Sequence, residues 1–281
     1  MSKTYETIAL EREGPILWIS LNRPHRRNAM TFQMHHDLED ALQEAEEDNE
    51  VLVIILKGNG PCFCAGHDLY EVADDYLSGK FVMRSIKRMR PPPHEVIREI
   101  SKPVIAAIHG FVGPMGIHLA VACDLIVAAQ GTVMSFEQMR AGGAGINPNI
   151  LLIICEKKTK EWQLLGKAMQ VEELAKRGLV NMVVPGEHLL DAARAWAEEM
   201  ATMPPQNVAA NKMAINMVMN VLGARTLREI GYVYGSLGHG SAFDKNFFAL
   251  AKEKGLKAAL AERDKTHGGR EKSGFNAAKK V

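Results

Sequence analysis

Two stretches of this 281-residue chain hold residue types that could do chemistry together. The first is Gly60-Pro61-Cys62-Phe63-Cys64-Ala65-Gly66-His67-Asp68-Leu69. The second runs from Lys102-Pro103-Val104 through Ile108-His109-Gly110 to Gly113-Pro114-Met115-Gly116-Ile117-His118, and on to Cys123-Asp124. Each reads as an apolar strand that breaks into a small-residue turn and restarts as a helix. Such turns leave backbone N–H groups without intrahelical partners, and two of them could hold one developing oxyanion. Pro114 has no N–H and suits the first turn of a helix, so Met115 and Gly116 would present donors at its positive end. The chemistry to expect is stabilisation of a negative oxygen by the backbone, completed by side chains.

The elements that must position these turns are legible in outline. Residues 5–11 and 15–20 alternate around Gly14-Pro15 and predict a β-hairpin. Thr31 can cap a helix running to about Asp48, with Phe32, Leu38, Leu42 and Ala45 on one face. Val51 to Leu56, Lys102 to Ile108 and Leu125 to Ala129 are continuous apolar runs, which fit strands of a sheet covered on both faces. Helices between them argue for βαβ units and a largely parallel sheet, hence an α/β class. From about Lys158 helices dominate, at 159–166, 171–177, 187–202, 205–221 and roughly 225–262, interrupted by a short strand from Val180 to Val184. This divides the chain into a core at 1–200 and a helical C-terminal region at 201–281, with a mobile tail after Thr266. Segment 78–98 carries Arg84, Lys87, Arg88 and Arg90 before a run of prolines that should end any helix.

Composition excludes several classes. A formal net charge of +1 gives no support for a nucleic-acid partner. No apolar run reaches the ~18 residues that span a membrane. The N-terminus lacks the apolar core of a signal peptide. Cys62, Cys64, Cys123 and Cys155 show no C-x-x-C spacing and read as reduced thiols of a reducing compartment, so a cytoplasmic location is expected. No dinucleotide fingerprint, P-loop, G-x-S-x-G elbow or H-E-x-x-H is present, and the histidines show no metal-ligand spacing. The adjacent His35 and His36 are read as surface residues.

The ordered set of motifs resembles a known family. Asn22-Arg23-Pro24 with Arg27-Asn28-Ala29, Phe63 to Leu69, Lys102 to Gly110, Cys123-Asp124, and Leu165-Gly166-Lys167 with Ala175 to Val180 are similar to the crotonase superfamily, the enoyl-CoA hydratase/isomerase group. The resemblance implies a ββα spiral core with a helical C-terminal trimerisation region, and trimers or dimers of trimers. It implies acyl-CoA thioester substrates, with coenzyme A arriving as part of the substrate and no separate cofactor or metal. It implies stabilisation of a thioester enolate by two backbone N–H groups, the first from Ala65 or Gly66, with Ala65 preferred, and the second from Met115. The substrate and its CoA moiety would meet Arg27, Asn28, Ala29, Ala65, Gly66, His67, Asp68, Leu69, Pro114 and Gly116.

The resemblance also marks departures. The two glutamates that activate water in the family's hydratases fall on His118 and Gln138, with Glu137 adjacent. If 133–138 is extended, Glu137 and Gln138 point to opposite sides, and only a bulge would bring Glu137 into the site. His118 is then the candidate acid/base, since an imidazole moves protons near neutral pH. The Ala-Gly-His-Asp version at His67 is similar to that of a methylmalonyl-CoA decarboxylase, where the histidine helps bind a carboxylate or thioester. Asp68 would fix the turn with its side chain. Three functions follow: an enoyl-CoA hydratase or isomerase, a decarboxylase or hydrolase using His118 and His67, and a CoA-binding protein without turnover.

Overall fold

The predicted hairpin is present in the computed structural model, which describes residues 3–78, 92–141, 147, 149–238 and 241–265. Strands β1 (Ile8–Glu13) and β2 (Ile16–Leu21) pair antiparallel around Gly14. The Thr31 hydroxyl accepts from the Met34 N–H, opening α1 (Phe32–Glu47). Met34, Leu38, Ala41, Leu42 and Ala45 form its buried stripe, whereas Phe32, predicted on that face, is 38% exposed. Strands β3 (Val53–Gly58), β4 (Val104–Ile108), β6 (Leu125–Ala129) and β9 (Met182–Val184) extend the hairpin into a six-stranded sheet. Its order is β1-β2-β3-β4-β6-β9, parallel after the first pair.

A second sheet, unread in the sequence, joins β5 (Phe111–Val112), β7 (Val133–Ser135) and β8 (Ala168–Gln170). β4 turns into β5 through Gly110 (φ +65), and helix α4 (Pro114–Ala122) follows at once. β6 turns into β7 in the same way. These strand–strand–helix units are the ββα repeat that the resemblance implies.

Both faces of the large sheet are covered, as its apolar strands require. Leu17, Ile19, Ile54, Leu56, Ala106 and Ile108 face α1 and α4. The alternate residues Ile16, Trp18, Val53, Ile55, Ile105 and Val127 face α8 (Leu189–Ala201), which buries Leu189, Ala193 and Ala197 at four-residue spacing. Between these lie α2 (Leu69–Ser78), α3 (Pro93–Glu99), α5 (Ile150–Ile153), α6 (Glu156–Leu165) and α7 (Val171–Ala175). Pro92 and Pro93 open α3, because proline's missing N–H has no cost in a first turn; the segment before them, whose helix they were expected to end, lies outside the described residues.

Helices α9 (Pro205–Val221), α10 (Ala224–Gly238), α11 (Ala242–Lys254) and α12 (Leu256–Lys265) close the chain. The single long helix predicted over 225–262 is thus three, the last break at Gly255 (φ +83). On α9, Lys212 reaches into the core. Its ammonium donates to the Ile97 and Lys102 carbonyls, each at 2.9 Å, and pairs with Asp124 at 2.8 Å. Val72 and Ala73 of α2 pack on Phe247, Phe248 and Ala259, so the last helices lie against the segment that follows the first turn. Among the described residues no helix is long and apolar enough to cross a membrane. The basic cluster at 84–90 and the tail after Thr266 lie outside the described residues.

Candidate active site

The two turns meet. Cys64 and Val112 form a parallel bridge, and the Gly113 N–H donates to the Cys64 carbonyl at 2.8 Å. A Cβ on Gly113 would sit 2.2 Å from the Ala65 carbonyl oxygen and 3.1 Å from the Gly66 nitrogen. A Cβ on Gly66, whose φ is +114, would sit 3.1 Å from the Pro114 ring. The sequence is rich in glycine here because the two backbones touch.

One of the two N–H groups singled out in the sequence is engaged elsewhere. The Ala65 N–H donates to the Arg27 carbonyl at 3.0 Å and is not available to a ligand oxygen. The Gly66 N–H meets no acceptor among the described residues. Met30 donates to the Gly66 carbonyl and accepts from the Asp68 N–H, both at 2.8 Å. Across a trans peptide, C=O and the following N–H point in opposite directions. The His67 N–H is therefore directed away from Met30. On the other side, α4 begins at Pro114, and the N–H groups of Met115 and Gly116 meet no acceptor among the described residues. They lie at the positive end of a nine-residue helix.

Arg27 and Asn28 take left-handed φ values of 55° and 52° to deliver the Arg27 carbonyl to this turn. Arg27 is exposed. Asn28, predicted as a substrate contact, is fully buried and works inward. Its amide donates to the carbonyls of Asn59, Cys62 and Phe63 at 2.9–3.1 Å, and its oxygen accepts from the Arg23 N–H at 2.9 Å. The Ala29 carbonyl and the Asp68 carboxylate both accept from Arg23, at 2.6 and 3.0 Å. Asp68 also accepts from the Tyr70 N–H at the start of α2, a turn-fixing role. Leu69 packs into the α2–α11 cluster.

His118 stands three residues after Met115 on α4, on the same face. Its Nδ1 lies 3.3 Å from the Asn147 amide nitrogen, and its ring packs 5.4 Å from that of His94. Burial pushes its pKa down to about 4, so the ring is neutral at pH 7. The sequence reading of a group titrating near neutrality is corrected on that point. The His67 ring stacks on His35 at 5.8 Å, and His35 is buried, not a surface residue.

Glu137 opens a short 3-10 turn and is buried in an ion pair with Arg263 of α12 at 3.3 Å. Its carboxylate binds the last helix, a partner not foreseen when a bulge was taken as its only way into the site. Gln138 follows, and its buried side-chain oxygen has no hydrogen-bond partner among the described residues. Burial also raises the thiols of Cys62 and Cys64, to about 11 and 12, which removes thiolate chemistry at neutral pH. Among the described residues no cluster of three or more His, Cys, Asp or Glu could hold a metal.

His94 and Asn147 escaped the sequence reading, and His35 was placed on the surface. Each is polar and distant in sequence from its ring or amide partner, and no spacing rule connects them.

Comparisons with known proteins agree with this geometry. The family profile described as enoyl-CoA hydratase/isomerase matches residues 11–234. A probable enoyl-CoA hydratase of Mycobacterium bovis is 31% identical over 216 residues, spanning 76% of this chain and 82% of that protein. The 1,2-epoxyphenylacetyl-CoA isomerase of Escherichia coli is 30% identical, spanning 75% of this chain and 82% of that one. The crystal structure of an enoyl-CoA hydratase/isomerase from Xanthobacter autotrophicus superposes with a TM-score of 0.86 at 27% identity, covering 94% of this chain and 99% of that one.

Proposed function

The chain belongs to the enoyl-CoA hydratase/isomerase family and is an enzyme of that family, and from that premise we propose that it stabilises the enolate of an acyl-CoA thioester in a backbone oxyanion hole. One donor comes from the Gly66–His67 stretch and the other from Met115 at the start of α4. The observation that carries this is the contact between Gly113 and the Ala65–Gly66 peptide, which sets one turn's donors against the other's helix end. A single such donor is worth about 3–4 kcal/mol in the transition state. Exposed Arg27 at the rim suits a phosphate of coenzyme A, which enters as part of the substrate.

The proton-transfer half differs from a two-carboxylate hydratase. His118 is neutral, Gln138 is an amide, and Glu137 is held by Arg263. This favours a second reading for the reaction, decarboxylation or hydrolysis of an acyl group that itself carries charge or oxygen. With no free carboxylate beside His118 and Gln138 among the described residues, the site would not repel a malonyl-type substrate. A thioester panel separates the readings. Turnover of malonyl- or 3-oxoacyl-CoA above crotonyl-CoA supports the second, hydration of crotonyl-CoA at ordinary family rates supports the first, and tight CoA binding without turnover of any thioester leaves a binding protein.

Self-association belongs to the same proposal. Ile215, Met217, Val218 and Val221 on α9, Leu222 at its C-cap, and Val233 and Tyr234 on α10 are exposed apolar residues. A surface of that kind is covered in a symmetric assembly, here a trimer or dimer of trimers.

A further inference from the structure

Helix α3 is seven residues long and lies between His118 and helices α9 and α10. Its first turn carries buried His94, whose ring is 5.4 Å from that of the partly exposed His118. Val96 and Ile97 anchor one side of α3 in the core. Its polar ties run the other way. The Lys212 ammonium donates to the Ile97 carbonyl at 2.9 Å, and the Asn216 amide donates to the Arg98 carbonyl at 3.0 Å. These carbonyls are orphans of a last helical turn, so two side chains of α9 cap α3. The Asn216 oxygen also accepts from the Arg98 guanidinium at 3.2 Å, and Glu95 pairs with Arg228 of α10 at 2.8 Å with both side chains 12% exposed. Lys212 is the one buried residue of α9 among the described residues, and Met213, Ile215, Met217, Val218 and Val221 face outward. Polar ties, rather than a buried apolar stripe, hold that helix on α3.

We infer that Lys212, Asn216 and Arg228 are positioning residues: by holding α3 they hold His94 against His118, and so fix the surroundings of the imidazole that shares a helix face with the Met115 donor. This goes beyond the thioester reading and stands on packing alone. The titratable group of α3 that faces His118 is His94, because Glu95 and Arg98 are engaged with Arg228 and Asn216. The other polar group beside the ring is the Asn147 amide. With α3 in place, His94 keeps water from one side of His118, and burial disfavours the charged ring. Loosening α3 admits water there and lets the ring take a proton at higher pH. A residue on α9 or α10 thus acts on His118 without touching it.

Asn216→Leu and Arg228→Met each remove a tie with little change in volume. Magnetic resonance titration of the His118 ring in the full-length protein reads the result, with its signal assigned by loss in His118→Phe. The wild type is expected to titrate near 4 and to show a nuclear Overhauser contact between the His94 and His118 rings. In both variants the pKa should rise toward the ordinary value of about 6.5 and the ring contact should weaken. Arg228→Lys keeps the charge and should restore most of the wild-type behaviour. Ala193→Gly weakens the opposite face of the sheet and should leave His118 unchanged. A His118 unmoved in both tie variants, or moved equally by Ala193→Gly, overturns the inference. A wild-type His118 titrating near 6.5, or one without contact to His94, overturns it before any variant has to fold.

Discussion

Gly113 and Ala65 approach so closely that a Cβ on the former would sit 2.2 Å from the carbonyl oxygen of the latter. Neither atom belongs to a flexible side-chain end, so the backbones would have to separate. Gly113→Ala is expected to destabilise the fold by about 1–3 kcal/mol and to lower thioester turnover more than a hundredfold by parting the donors. Urea unfolding and steady-state kinetics measure the two effects.

Asn28 supplies donors to three carbonyls of the 59–63 segment and an acceptor to Arg23. Asn28→Asp keeps the shape but turns the donor edge into a second acceptor facing those carbonyls. It should be at least as destabilising as Asn28→Ala, at about 3 kcal/mol or more. Thermal unfolding of both variants checks the order, and a near-neutral aspartate would refute the role given to this amide.

Lys212 holds α9 to the core through Asp124 and two carbonyls. Lys212→Met removes one partner of a mostly buried pair and is expected to cost about 3–5 kcal/mol. Asp124 retains the Val104 N–H, so the double variant Lys212→Met with Asp124→Asn should recover part of that loss. Chemical denaturation of the two variants side by side shows whether it does.

Stability should fall in mild acid. A histidine of the unfolded chain takes a proton near pH 6.5, whereas buried His118 does so only near 4. Between those values the unfolded chain binds more protons, so lowering the pH favours unfolding by up to about 1.4 kcal/mol per pH unit from this group. Above pH 6.5 the contribution vanishes. His109, which also has a lowered pKa from burial, adds to the slope. His118→Phe should flatten the profile between pH 4 and 6.5 and leave it unchanged at pH 8.

Met217→Glu together with Val221→Glu places charge on the exposed apolar face of α9. Sedimentation should show the wild type as a trimer or larger and the variant as a monomer with unchanged circular dichroism. A monomeric wild type would remove self-association from the account.

The sequence made some of this legible and concealed the rest for physical reasons. Apolar runs at 51–56, 102–108 and 125–129 name buried parallel strands because a sheet covered on both faces admits little else. Thr31 and Pro114 name helix starts through hydrogen-bond and φ constraints that act within a few residues. Strand β5 has only two residues, too few for any periodicity. Ala65 was misread as a donor because its partner, the Arg27 carbonyl, lies in a loop 38 residues earlier, where two left-handed residues aim it. The side to which Glu137 turns was left open, because its partner Arg263 lies 126 residues on, in the last helix. The His94–His118–Asn147 cluster joins three elements, and only tertiary packing brings it together.

The central claim is that backbone N–H groups polarise a thioester carbonyl between the two turns. Infrared difference spectroscopy of the protein with carbonyl-labelled butyryl-CoA tests it most directly. The account predicts a thioester C=O band moved to lower frequency on binding, and moved back toward its aqueous position in Gly113→Ala. A bound thioester whose carbonyl band stays at the aqueous position in the wild type would contradict it.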